Sequence, residues 1–133
     1  MPMMNILQLN GTDPQLYQLA APLVMDPKVL KQNQNYPFRT SDSHQWFMAI
    51  DGQEVAGFMP VEIKRQQAKI NNYYVKDNNA DVLDALLKKT IEALSADCLL
   101  TSITQVKDID TFKNNQFNIA HEWKKFVKMV WEG

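Results

Sequence analysis

Residues 70–94, INNYYVKDNNADVLDALLKKTIEAL, join a strand pattern, a polar loop and an amphipathic helix pattern. Residues 70–75 are rich in β-branched and aromatic side chains, which suit a half-buried strand. The polar loop is turn-prone, and Asn78 or Asn79 is the natural N-cap of the helix. Apolar residues then recur at helical spacing and form one stripe: Val82, Leu83, Leu86, Leu87, Thr90, Ile91 and Leu94. The stretch therefore predicts a strand that leads directly into a helix.

The start of this helix is a place where an anion can bind, because free backbone N–H groups and the helix dipole both favour negative charge. Asp77, Asp81 and Asp84 instead put carboxylates there, and no glycine permits close approach of the backbone. The residues alone therefore favour a helix start that satisfies itself over a cradle for phosphate.

The bulk properties predict one domain, residues 1–133, of ordinary globular composition, with 45% hydrophobic and 22% charged residues. A net charge of −1 argues against nucleic acid and anionic membranes as partners. Cys98 is the one cysteine, so no intramolecular disulfide forms. The N-terminus lacks a signal-peptide pattern, and no segment has the ~20 apolar residues that span a bilayer. We therefore expect a cytoplasmic protein.

The rest of the chain alternates strand and helix patterns. Capping pairs Asp13-Pro14 and Asp26-Pro27 predict two helices, and Asp51-Gly52 predicts a hairpin. Pro60 predicts a bulge or an edge, because proline cannot donate to a ladder. The expected strands cover 3–9, 46–50, 53–65, 70–75, 98–104 and two runs within 117–131, and a last helix covers 106–115. The strand after the long helix should pair in parallel with an earlier one. The predicted class is α/β, with a mixed sheet and helices on both faces.

This order resembles the GNAT superfamily, the Gcn5-related N-acetyltransferases. Three segments carry the resemblance: the hairpin around AIDGQEVAGF (49–58), the stretch 70–94, and the ending FKNNQFNIAHEWKKFVKMVW (112–131). The resemblance implies a single-domain GNAT-like fold and an acyl-CoA-dependent N-acetyltransferase that acts on an unknown small-molecule or peptidic amine.

The resemblance also implies where acetyl-CoA would lie, namely between two parted strands. The backbone of Tyr73, Tyr74 and Val75 would pair with its pantetheine arm. The pyrophosphate would meet the loop and helix start, at Asn78, Asn79 and Ala80.

Four positions depart from the family pattern, and one of them is Gln116, where the family has a glycine. Asp81 and Leu83 stand where the family has small residues, mostly glycine, and no position carries the motif's arginine. Phe112 stands where many members have a tyrosine that protonates the departing thiolate, and it has no proton to give. An alternative therefore stays open: a non-catalytic GNAT-fold module with a degenerate CoA site, which binds a partner protein or another ligand.

Glu62 and Tyr73 are the candidate catalytic residues. Glu62 lies on the polar face of a strand, where a carboxylate in a GNAT-like frame could deprotonate an amine; a solvated surface residue is the alternative. Tyr73 and Tyr74 point to opposite faces, and we assign Tyr74 to the core and Tyr73 to the cleft.

Other chemistry-bearing residues have ordinary interpretations. His44 and His121 lack metal-ligand spacing, so no metal site is expected and packing or surface roles are favoured. Cys98 is interpreted as a small buried hydrophobe. In the loop 32–43, Tyr36, Phe38 and Arg39 are candidates for binding or for packing. The lysine–aromatic tail 123–131 is a third functional option, a single-stranded nucleic-acid surface, against which the near-neutral charge argues.

Overall fold

The computed structural model describes residues 4–133, and the first residue of the expected strand 3–9, Met3, lies outside them. The strands are β1 (Met4–Asn10), β2 (His44–Asp51), β3 (Glu54–Lys64), β4 (Gln67–Ile70), β5 (Tyr74–Val75), β6 (Leu99–Gln105), β7 (Phe117–Glu122) and β8 (Phe126–Trp131). The helices are α1 (Pro14–Val24), α2 (Pro27–Gln32), α3 (Ala80–Leu94) and α4 (Ile109–Asn114). Within these residues, no helix is long and apolar enough to cross a membrane.

The strands form one mixed sheet in the order β1-β2-β3-β4-β6-β8-β7, with β5 paired to β3. The β4–β6 pair is parallel and the other pairs are antiparallel. This confirms both the meander of β2, β3 and β4 and the parallel partner for the strand that follows the long helix. The hairpin between β2 and β3 is also confirmed, because Asp51 pairs with Glu54 and Gly52 has a φ of +63°.

Helices cover both faces of the sheet, which confirms the predicted class. The larger core lies beneath α3 and α4, and includes Phe47, Leu86 and Phe112. The smaller core lies beneath α1 and α2, and includes Leu16 and Phe58. Because both faces are covered, the middle of β3 is buried on both sides, although its sequence alternates toward its end.

Local signals set the starts of the helices as expected. Asn79 caps α3 and accepts hydrogen bonds from the N–H groups of Asp81 and Val82 at 2.9 and 3.4 Å. Asp13 and Asp26 cap α1 and α2, each followed by proline at the first helical position. The predicted stripe of α3 is buried except for Ile91, which is partly buried.

Two expected elements differ from the structure. The strand expected over 70–75 is interrupted, because residues 71–73 form no ladder between β4 and β5. These three residues lie opposite only two residues of β3, Met59 and Pro60, so the pairing contains a bulge. This agrees with the bulge or edge that was predicted at Pro60. The helix expected over 106–115 begins as a 3₁₀ turn, Val106–Asp108, and becomes α-helical only at Ile109.

Candidate active site

A gap opens between two strands of the sheet directly after the bulge. The parallel pairing of β4 with β6 ends at Ile70 and Ser102. Beyond this point β5 pairs only with β3, while β6 continues beside β8 as far as Gln105. Gly57 permits the close approach of β3 to β5, because a Cβ there would lie 2.6 Å from the carbonyl oxygen of Tyr74. The facing edges of β5 and β6 therefore lack a strand partner.

The side chain of Tyr73 crosses this gap. Its hydroxyl accepts a hydrogen bond from the Gln105 N–H at 3.0 Å and donates one to Asp108 Oδ2 at 2.7 Å. Burial, with the Asp108 carboxylate beside it, raises the pKa of Tyr73 well above its usual value. Only 3% of Tyr73 and 8% of Tyr74 is exposed. The assignment of Tyr74 to the core is therefore confirmed, on the α1 side of the sheet. The assignment of Tyr73 to the cleft is wrong, because Tyr73 is buried in the core on the α3 side.

Side chains from the end of α2 reach the same gap. Gln32 Oε1 accepts a hydrogen bond from the Val75 N–H at 3.4 Å, and the buried Asn33 Oδ1 accepts one from Gln105 Nε2 at 3.4 Å. Gln32 is only partly buried, and its bond is long for an N–H donor. The backbone of β5 is therefore held by an exchangeable side chain, whereas the end of β6 is held by buried groups.

A cleft of about 580 Å³ lies next to this gap. It takes its floor from β3, β4 and β6, through Glu62, Lys69 and Ile103. The bulge residues Asn71 and Asn72 line the side toward the gap. The loop after α2 and the β7–β8 turn form the remaining walls, and their lining residues include Tyr36, Arg39, Trp123 and Phe126. Tyr36 and Arg39, two of the three loop candidates, therefore lie at the cleft.

His44 is a cleft residue with the properties of a general base, which sequence reasoning missed. It lies opposite Glu62 in the β2–β3 register, and its Nδ1 is 2.8 Å from Ser41 Oγ. Burial lowers the pKa of His44 below 6.5, against the opposing charge of Glu62. The imidazole is therefore neutral near pH 7 and can accept a proton. A possible signal in the sequence was its position at the start of a strand, directly after the polar loop.

Glu62 and the other candidates occupy varied surroundings. Glu62 lines the cleft with its side chain 30% exposed, and Lys64 lies 3.4 Å from its carboxylate.

Phe38, the third loop candidate, packs against Phe58 with ring centroids 4.9 Å apart. Cys98 is partly buried against the larger core, and burial raises the pKa of its thiol. Within residues 4–133, no cluster of side chains could hold a metal ion.

The start of α3 carries mixed charge. Asp77 and Asn78 both have left-handed backbone, with φ of +56° and +53°, a conformation that glycine favours and Asp and Asn tolerate. Lys107 Nζ bonds to Asn78 Oδ1, so one cation reaches this loop from the far side of the gap. Asp77 and Asp81 are both exposed beside it. The sequence prediction that acidic groups crowd this site is therefore retained, with the addition of Lys107.

Solved structures share this architecture, although no protein-family model and no curated protein matches the sequence. Escherichia coli ElaA superposes with a TM-score of 0.77 at 14% identity, over 98% of this chain and 100% of that one. An acyl-CoA N-acyltransferase from Pseudomonas aeruginosa gives 0.75 at 13%, over 98% and 100%. The PaiA N-acetyltransferase from Thermoplasma acidophilum, in complex with coenzyme A, gives 0.66 at 11%, over 98% and 99%.

The mixed sheet with parted central strands and helices on both faces defines an α/β fold of the class that these structures share. More particularly, this chain has the GNAT fold, in a divergent sequence. The fold that the resemblance implied is therefore confirmed.

This fold implies a position for CoA, and the residues present fit the two ends of that position to different degrees. At the pantetheine end, the Val75 N–H faces a replaceable partner, so an amide carbonyl of a ligand can take the place of Gln32. At the diphosphate end, two N–H groups of α3 are already taken by Asn79, and the family glycines are absent. The fit of the residues is thus good for the arm and poor for the diphosphate.

Replacement of Tyr73 by phenylalanine tests the bond across the gap. The change leaves the Gln105 N–H buried without its partner, so we expect a loss of about 1–3 kcal/mol in the free energy of unfolding. Urea denaturation measures it, with Tyr17→Phe as the control at a half-exposed tyrosine. Equal stability of the two variants would show that the hydroxyl does not hold the strands together.

His44 makes stability depend on pH in a defined direction. Because its folded pKa lies below the unfolded value of about 6.5, the unfolded chain binds the proton first as pH falls. We expect stability to decline from about pH 6.5 down through the lowered folded pKa, and His44→Gln to remove that part of the decline. Urea denaturation at pH 7.5 and 5.5 measures this, with exposed His121→Gln as the control. If wild type and His44→Gln lose stability equally, the burial of a neutral imidazole is refuted.

Proposed function

We propose that the protein is a GNAT-type N-acyltransferase, which transfers the acyl group of acetyl-CoA or a related CoA thioester to an amine in the cleft. The observation that supports the proposal is the cleft next to the gap between β5 and β6, which Glu62 and His44 both line. Structural neighbours named as N-acyltransferases, one of them solved with coenzyme A, support the reaction class.

The backbone before α3 would hold the cofactor. Tyr73, Tyr74 and Val75 would present backbone groups to the pantetheine arm, after Gln32 releases the Val75 N–H. Asn78, Asn79 and Ala80 would meet the diphosphate, where Lys107, which bonds to Asn78, would supply a favourable charge. When bound, the thioester supplies an activated acyl carbon.

Two side chains of the cleft, Glu62 and His44, would remove the proton from the amine. An alkylammonium group has a pKa of about 10, so it must lose a proton before its nitrogen can attack. Glu62 attracts the ammonium by charge, and neutral His44 lies opposite it in the sheet and can accept the proton directly or through water. Ser41, 2.8 Å from His44 Nδ1, would orient the imidazole.

Tyr73 is proposed as the group that returns a proton to the departing thiolate, after which the tyrosinate would keep the hydrogen bond from the Gln105 N–H and take a proton back from solvent. Its hydroxyl lies across the gap, and its ring packs on Phe112, with centroids 5.7 Å apart. Phe112 occupies the position where the family resemblance places a tyrosine acid. The raised pKa keeps Tyr73 protonated, so it must first release Asp108 before its proton can move to sulfur.

Acyl transfer from acetyl-CoA to a panel of primary amines, followed as release of free thiol and by product mass, tests the proposal. We expect Glu62→Gln and His44→Gln each to lower kcat by about a hundredfold or more, because each removes a group that handles the amine proton. Glu92→Gln, an exposed change on α3, serves as the control.

Two results would contradict the proposal. One is the absence of any thermal shift or binding heat with millimolar acetyl-CoA, which would favour the non-catalytic alternative. The other is full activity in both cleft variants, which would place the chemistry elsewhere.

A further inference from the structure

We propose that the cleft selects a free amino acid with an aromatic or large apolar side chain, whose carboxylate binds Arg39 and Lys69 and whose amine faces Glu62. The inference rests on the proposed function only in making this ligand the acyl acceptor. Its recognition is a property of the cleft alone, and can be measured without any thioester.

The first observation is an aromatic wall. Tyr36 and Phe126 meet edge to face with ring centroids 5.7 Å apart, and both line the cleft. Trp123 also lines the cleft, at the β7–β8 turn, where its backbone N–H donates a hydrogen bond to the Phe126 carbonyl oxygen at 2.9 Å. Tyr36 is 55% and Trp123 50% exposed, although both are large and apolar. Exposed aromatic surface inside a concave site favours a ligand with a ring or a long apolar chain.

The second observation is the arrangement of charge. Arg39 and Lys69 line the cleft, and neither forms an ion pair within the part of the chain that the structure describes. Glu62 lies on the strand next to Lys69, directly opposite it in the register. The cleft therefore presents two cations without an ion pair and one carboxylate, which exposed Lys64 pairs with from outside the cleft lining. This arrangement complements a ligand that carries both an anion and an ammonium group.

The third observation is size. A cleft of about 580 Å³ lies within the range of about 300–1,000 Å³ that holds single small molecules. A free amino acid has a carboxylate next to its amine, whereas the N-terminal residue of a peptide has an uncharged amide there. The two cations thus favour the free amino acid over a peptide terminus.

Isothermal titration without CoA tests this with three ligands: L-phenylalanine, phenethylamine, which lacks the carboxylate, and L-alanine, which lacks the ring. We expect L-phenylalanine to bind at least about tenfold more tightly than either of the others, because each lacks one recognised group. Equal binding of L-phenylalanine and phenethylamine, or no binding of L-phenylalanine at millimolar concentration, would overturn the inference.

Variants locate the contacts. Arg39→Met with Lys69→Met should weaken L-phenylalanine about tenfold and should not weaken phenethylamine, a cation that these two side chains repel. Lys28→Met with Lys113→Met, both outside the cleft, should weaken neither ligand. Trp123→Ala should weaken both aromatic ligands, with Tyr17→Ala as a control of equal exposure, 50%. If the paired cation variant weakens both ligands equally, the carboxylate site is refuted.

The outcomes also separate this inference from the proposed function. Binding of L-phenylalanine without acyl transfer would support the proposed class of ligand and refute the proposed reaction. Acyl transfer to phenethylamine as fast as to L-phenylalanine, with equal binding of the two ligands, would support the proposed reaction and refute the proposed class of ligand.

Discussion

The structure depends on how the protein satisfies backbone groups where two strands part. Once β4 and β6 separate after Ile70 and Ser102, the edges of β5 and β6 have N–H groups without a strand partner. Buried backbone donors must find acceptors, so this point of the sheet requires side-chain substitutes. Tyr73 supplies one for Gln105, and Gln32 supplies one for Val75. Pro60 lies opposite the bulge, where β3 has no partner on that side and a missing N–H costs nothing.

The two substitutes differ in a way that matters for a ligand. Tyr73 is almost fully buried, and its hydroxyl both accepts a hydrogen bond from Gln105 and donates one to Asp108. Tyr73 therefore fixes the end of β6 within the core. Gln32 comes from the end of a six-residue helix, is partly buried, and forms a long bond. A ligand amide can therefore replace Gln32 at little cost, but replacement of Tyr73 would expose a buried donor. The proposed entry of a pantetheine arm follows the β5 side of the gap for this reason.

Local signals predicted most of the fold. The apolar stripe of α3, the Asn79 cap, the Asp-Pro helix starts and the Asp51-Gly52 hairpin each depend on residues near one another in sequence, and each is found. The break at residues 71–73 was not predicted, because the strand propensity of Ile70 and of residues 73–75 outweighed Asn71 and Asn72, which are of a type that strands disfavour. Only the pairing with β3 shows the extra residue.

The site was less predictable, because it is assembled from distant segments. Tyr73 meets Gln105 and Asp108 across more than thirty residues of sequence, and alternation along one strand cannot reveal that contact. His44 was interpreted as a packing or surface residue, since its partner Glu62 lies on the neighbouring strand. Glu62 was predicted from its place on the polar face, and Tyr36 and Arg39 from their loop, and all three line the cleft.

Titration of coenzyme A against wild type and Gln32→Ala shows whether Gln32 occupies the place that a pantetheine amide would take at the Val75 N–H. We expect severalfold tighter binding to Gln32→Ala, because the Val75 N–H is then free to bind the ligand, and wild-type affinity for Gln18→Ala, an exposed control on α1. Equal or weaker binding by Gln32→Ala, or no binding by either protein, would contradict this expectation.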